Sequence, residues 1–134
     1  MLFQMRPVGL WVSWVKKMTK GLIIFGFGYC AEAVLHNLRD WDGKKIVVTR
    51  NIDKINVLRK KGVEAYHWSD QVKVRECIQK NKIILHSVPP LGKSDPVYEG
   101  FVELFSELPD KSKLIYLSST GVYGDHRGNW VNET

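Results

Sequence analysis

The residues best placed by type and spacing to do chemistry are Gly26-Phe27-Gly28-Tyr29-Cys30-Ala31, a G-x-G-x-x-A run. Glycines at this spacing allow a tight turn and a close backbone approach, and the free N–H groups of a helix starting there attract an anion such as a pyrophosphate. A second candidate group, Thr49-Arg50, closes an apolar run where a dinucleotide's ribose would be gripped. An acid at that point would take the ribose hydroxyls of NAD. Arg50 suits a 2′-phosphate and stacking on adenine, so NADP is expected. Asp53 is placed to reach the ribose, which keeps NAD open, and an exposed arginine opening a loop explains Arg50 nearly as well. Asp70 is in position to accept from the adenine amino group, and helix capping explains it equally. In His86-Ser87-Val88-Pro89-Pro90 the two prolines make a stiff wall, with Ser87, Val88 and Pro89 expected on the cofactor side. His86 falls inside an apolar run and reads as a satisfied core histidine rather than a catalyst.

Strands and helices in alternation must position these groups. Leu22–Phe25 reads as a buried strand, and behind the glycines Ala31, Val34, Leu35 and Leu38 recur at the spacing of one helix face. Asp42-Gly43 marks a turn before a second strand, Ile46–Thr49. Asn51 is placed to cap a helix that closes on Lys60, Lys61 and Gly62, where cations suit the negative helix end. A short third strand is expected over Val63–Tyr66. The helix after it is capped by Ser69 or Asp70 and buries Val74, Cys77 and Ile78. Ile83–His86 reads as the fourth strand. Asp95-Pro96 supplies a cap and a first-turn proline to a helix with the stripe Val97, Phe101, Leu104, Phe105 and Leu108, and Leu114–Leu117 reads as the fifth strand. Such alternation is the mark of a doubly wound parallel α/β sheet, expected in the order 3-2-1-4-5 with ligand at the switch point between strands one and four.

At 134 residues, 44% hydrophobic and 25% charged, the chain has the size and composition of one globular domain with a real core, which excludes disorder and coiled coil. The net charge is +6, but Arg6, Lys16, Lys17 and Lys20 carry +4 of it with no acid among the first 20 residues. The rest holds 16 basic against 14 acidic residues, a balance that argues against a nucleic-acid partner. Residues 1–20 read as a basic N-terminal extension that contributes no element to the fold, and 21–134 as the domain. Cys30 and Cys77 are too few for a disulfide framework and share no metal-ligand spacing with the four histidines. No metal site is expected, and reduced thiols fit a cytoplasmic protein. No apolar run approaches the ~20 residues of a transmembrane helix.

The run Leu117-Ser118-Ser119-Thr120-Gly121-Val122-Tyr123-Gly124-Asp125, following the glycine turn and the Pro-Pro loop in that order, resembles the extended and atypical short-chain dehydrogenases/reductases, the NAD(P)-dependent epimerases and dehydratases. The resemblance covers about residues 21–134. It implies a Rossmann-type domain binding NAD(P), with the Ser119 hydroxyl, or its neighbour Thr120, orienting a substrate oxygen near the nicotinamide. The family's proton relay, Y-x-x-x-K, is absent: the residues four past Tyr29, Tyr66, Tyr98, Tyr116 and Tyr123 are Ala33, Asp70, Val102, Thr120 and Arg127. The chain also stops where the family continues into a sixth strand and substrate-binding part. Three outcomes fit: an oxidoreductase acting on an unidentified small molecule, a non-catalytic dinucleotide-binding module, or a fragment of a longer reductase. An uncovered apolar face behind strands four and five is expected, with self-association through the fifth-strand edge, a partner that completes the sheet, or poor stability as its consequence.

Overall fold

A computed structural model describes residues 21–80, 83–108, 112–117, 127 and 129–130. Five strands, β1 (Gly21–Phe25), β2 (Lys44–Thr49), β3 (Glu64–His67), β4 (Ile83–His86) and β5 (Lys113–Tyr116), alternate with four helices, α1 (Tyr29–Asn37), α2 (Ile52–Lys60), α3 (Gln71–Lys80) and α4 (Pro96–Ser106). All strand pairs are parallel, in the order β3-β2-β1-β4-β5. This is the expected doubly wound sheet. Every residue of β1 is buried, as a central strand covered on both faces requires.

Two clusters flank the sheet. Leu22, Ile24, Val47 and Ala65 point to one side and meet Ala31 and Leu38 of the first helical unit and Ile55 and Leu58 of α2. Ile23, Phe25, Ile46 and Val48 point to the other and meet Val74, Cys77 and Ile78 of α3 and Val97, Phe101 and Leu104 of α4. The period of two in the strands and of three to four in the helices produces both sides. Of the stripe expected on α1, Ala31 and Leu38 are fully buried and Val34 and Leu35 half-buried.

Turn chemistry fixes the element ends. Asn51 accepts from the Lys54 N–H at 3.0 Å and caps α2, and Gly62 takes the left-handed conformation, φ 77°, beyond its end. Asp95 accepts from the N–H groups of Val97 and Tyr98 at the start of α4. After α1, Trp41 folds over Gly43 so closely that an added Cβ would lie 2.0 Å from its ring. Lys45 donates to the carbonyls of Leu38 and Trp41, satisfying acceptors beyond the last turn.

Four strands depart from their expected bounds: β1 starts one residue early at Gly21, β2 starts two residues early at Lys44, and β3 (Glu64–His67) and β5 (Lys113–Tyr116) are each shifted by one residue. Hydrogen-bond register decides this. Thr49 pairs with His67 and Ile83 with Lys113, so the ladder takes in polar residues that hydropathy had left out. The uncovered face expected behind β4 and β5 is corrected: Ile83, Leu85 and Ile115 are buried to within 7% exposure, in one cluster with Leu22, Ile24 and Leu38. The apolar side chain of β5 that meets water is Leu114, 38% exposed at the end of the sheet order. The basic extension, residues 1–20, lies outside the described residues.

Candidate functional site

Parallel strands all deliver their C-terminal ends to one edge, and β1 and β4 are neighbours there while the chain leaves them in opposite directions along the sheet. A crevice forms at that switch point. The glycine turn forms one lip. Gly26 has φ 86°, donates its N–H to the Val48 carbonyl at 2.8 Å, and leaves room for no side chain, since a Cβ would lie 3.0 Å from Val88 Cγ2 and 3.2 Å from Ser87 Oγ. Gly28 differs: a Cβ there would meet nothing within 4 Å. It is the N-cap of α1 and supplies no side-chain acceptor, whereas α2 and α4 are capped by Asn51 and Asp95. The sequence thus leaves one helix start uncapped, at the turn open to a ligand. Around it Phe27 is half-buried, Tyr29 and Cys30 are exposed, and Ala31 is fully buried, its small side chain letting α1 sit close on the sheet.

The opposite lip is the segment after β4. Ser87 donates both its N–H, at 2.9 Å, and its Oγ–H, at 3.0 Å, to the Phe25 carbonyl, so this hydroxyl locks the loop to the end of β1. Val88 packs against Gly26, and Pro89 is exposed. Behind this lip, His86 is 3% exposed. Its Nδ1 accepts from the Val88 N–H at 3.3 Å, and its Nε2–H donates to both carboxylate oxygens of Asp95 at 2.8 Å. Both ring nitrogens are engaged, in keeping with a core histidine. Burial alone would raise the Asp95 carboxyl, but the Tyr98 N–H, the His86 ring and the Val97 N–H outweigh it and hold the group below its ordinary value.

At the β2 end, Thr49 is buried and its Oγ1 accepts from the Asn51 N–H at 3.3 Å, shaping the turn. Arg50 is exposed, its guanidinium 5.3 Å from the centre of the Trp68 ring. His67 joins the β2 and β3 ends: Nε2–H donates to the Arg50 carbonyl at 3.2 Å, while Nδ1 accepts from the Ser69 N–H. Asp70 accepts from the Lys73 N–H at 3.3 Å and so caps α3, the simpler of its two expected roles. Ser119 and Thr120, with the rest of the S-S-T-G-V-Y-G-D run, lie outside the described residues.

Sequence reasoning missed Lys54. Its ammonium donates to the Phe27 carbonyl at 2.6 Å and lies 5.7 Å from the Phe27 ring, which brings a cation from the first turn of α2 onto the glycine turn. The signal was present in the Asn51 cap, because fixing the start of α2 at the β2 end puts its first-turn side chains at the ligand edge. Trp68, the platform for Arg50, was also missed; nothing in its local pattern distinguishes it from a loop aromatic. Among the described residues no group of three or more His, Cys, Asp or Glu side chains is arranged to hold a metal.

No protein-family model matches the sequence, and no curated protein matches it. Among solved structures the chain is similar to a functionally unknown conserved protein from Silicibacter pomeroyi DSS, with TM-score 0.73 and 31% identity, over 87% of this chain and 40% of that one. It is also similar to a dipicolinate synthase polypeptide from Bacillus halodurans, with TM-score 0.61 and 17% identity, over 83% of this chain and 36% of that one. The chain spans about two-fifths of the length of these neighbours. The fold is a Rossmann-like α/β fold. Among the described residues no helix is long and apolar enough to cross a membrane.

Proposed function

We propose that this chain binds NADP through the crevice between β1 and β4 and serves as the cofactor half of an oxidoreductase of the epimerase/dehydratase type. The observation that carries the reading is the start of α1. It has no side-chain cap, opens through a glycine with free space about its Cα, and stands at the switch point where a pyrophosphate is bound by helix N–H groups in such sheets. Arg50 supplies a cation at the adenosine end, which favours a 2′-phosphate over the bare ribose of NAD, and Lys54 supplies a second cation on the glycine turn. Ser87, Val88 and Pro89 wall the nicotinamide side.

The chemistry such a cofactor supplies is hydride exchange with a carbonyl or an alcohol. Ser119 or Thr120 would orient the substrate oxygen. With no Y-x-x-x-K pair in the sequence, the property expected of the chain itself is cofactor binding, with the acid supplied from elsewhere.

Thermal unfolding with NADPH, NADH or neither tests the reading, because a ligand bound only by the native state raises the midpoint according to its affinity. Stabilisation by NADPH above that by NADH is expected, abolished in Gly28→Asp and weakened in Arg50→Ala. A midpoint that neither cofactor moves overturns the proposal.

A further inference from the structure

His86 is buried at the C-terminal end of β4, between Phe25 of β1 and Tyr116 of β5 in register. Its ring stands edge-on to Tyr116, with centroids 4.7 Å apart. Among the described residues the titratable groups that face it are Tyr116 and the Asp95 carboxylate from the start of α4. Asp95 has other work, accepting from the Val97 and Tyr98 N–H groups, so it is fixed to a helix and cannot follow a moving ring. A carboxylate only accepts, which places the proton of a neutral ring on Nε2 and leaves Nδ1 as the acceptor for the Val88 N–H. Val88 in turn is the side chain nearest the space above Gly26. An unbroken chain of contacts therefore runs from Asp95 through His86 and Val88 to the glycine turn.

We infer that His86 is a positioning residue: in its neutral form, pinned by Asp95, it seats the Ser87–Val88 wall on the glycine turn, so dinucleotide affinity follows its protonation. A proton on Nδ1 turns the acceptor into a donor facing the Val88 N–H, two donors that cannot share a bond. The Asp95 contact and the two Ser87 bonds to the Phe25 carbonyl survive this change, so the ring and Ser87 stay in place and Val88 is the part of the wall that gives. The inference rests on the dinucleotide reading for its effect on affinity, and on the described geometry alone for the movement of the wall.

The test has two arms on the full chain. In the first, amide NMR of the free protein is followed from about pH 8 to about pH 5.5, where histidines change charge. The Val88 and Gly26 amides are expected to shift in step with the His86 ring in the wild type and to stay fixed in His86→Asn, whose side-chain oxygen keeps an acceptor near Nδ1 and carries no charge. Amides that ignore the ring overturn the inference without reference to any ligand. In the second arm, NADP affinity is measured over the same range. The 2′-phosphate titrates at pH ~6, but it is common to all variants. Wild-type affinity is expected to fall about tenfold further than that of His86→Asn, the worth of one hydrogen bond. His86→Gln, which retains a donor toward Asp95 but offers Val88 no acceptor, is expected to bind weakly at every pH, and it stands in should the Asn variant not fold. Equal pH slopes in wild type and variants overturn the inference. Amides that follow the ring in a protein that binds neither cofactor would uphold the positioning of the wall and overturn the dinucleotide reading instead.

Discussion

Gly26 and Gly28 are two residues apart and are glycines for different reasons. Gly26 combines a left-handed backbone with a neighbour 3.0 Å from any added Cβ, so Gly26→Ala is expected to cost about 1–3 kcal/mol of stability from strain and overpacking and to weaken cofactor binding by displacing Val88. Gly28 has ordinary backbone and open space. Gly28→Asp is expected to leave the denaturant midpoint nearly unchanged while abolishing the shift produced by NADPH, since a carboxylate would occupy and repel the anion site. Measured together, the two variants separate the glycine that the fold needs from the one that the ligand needs. Lys54→Met is expected to weaken NADPH and NADH several-fold alike, read as dissociation constants, because its cation lies on the glycine turn that both would use; no loss for either would assign Lys54 to holding the Phe27 carbonyl alone. The glycine spacing was legible in the sequence because its two positions are local. Lys54 was not, because its partner is 27 residues away and only the β2 and β1 ends meeting at one edge brings them together.

Among the elements, α4 shows how one side chain carries several roles. Asp95 caps the helix and closes on His86. Asp95→Ala is expected to cost about 2–3 kcal/mol, the sum of a lost cap and a buried imidazole N–H left unpaired. Because its pKa is lowered by folding, its charge contributes stability that is fully present above the ordinary value of 3.8 and is lost as pH falls through the lower native value. The stability gap between wild type and Asp95→Asn, measured by denaturant unfolding, is therefore expected to close as pH falls below 3.8 through the lower native value. The cap was readable as an Asp-Pro pair before an apolar stripe. Its second bond, to a histidine nine residues earlier, was not, since no periodicity links a strand end to a helix start. At the other end of the chain's first unit, Gly43→Ala is expected to destabilise by about 1–3 kcal/mol through collision with Trp41. The Asp42-Gly43 pair announced a turn, but only the packed Trp41 shows why that glycine has no substitute.

For the molecule as a whole, the strand order places β5 at the end of the sheet with Leu114 partly exposed. Self-association through this edge is tested by sedimentation over a range of concentrations: a dimer in the wild type that Leu114→Lys dissociates is expected, and a monomer throughout would dismiss it. The sequence by itself determined the order and type of the elements, the two-faced core and the switch-point location, because helix and strand periods, caps and crossover handedness are local or chiral rules that hold wherever the chain goes. The tertiary structure alone decided which cations and ring nitrogens reach the crevice, which strand ends extend into polar residues, and that Ile83, Leu85 and Ile115 are covered. Those are contacts between segments far apart in sequence. Their geometry comes from the registers and packing of the folded sheet, which no local pattern of residues records.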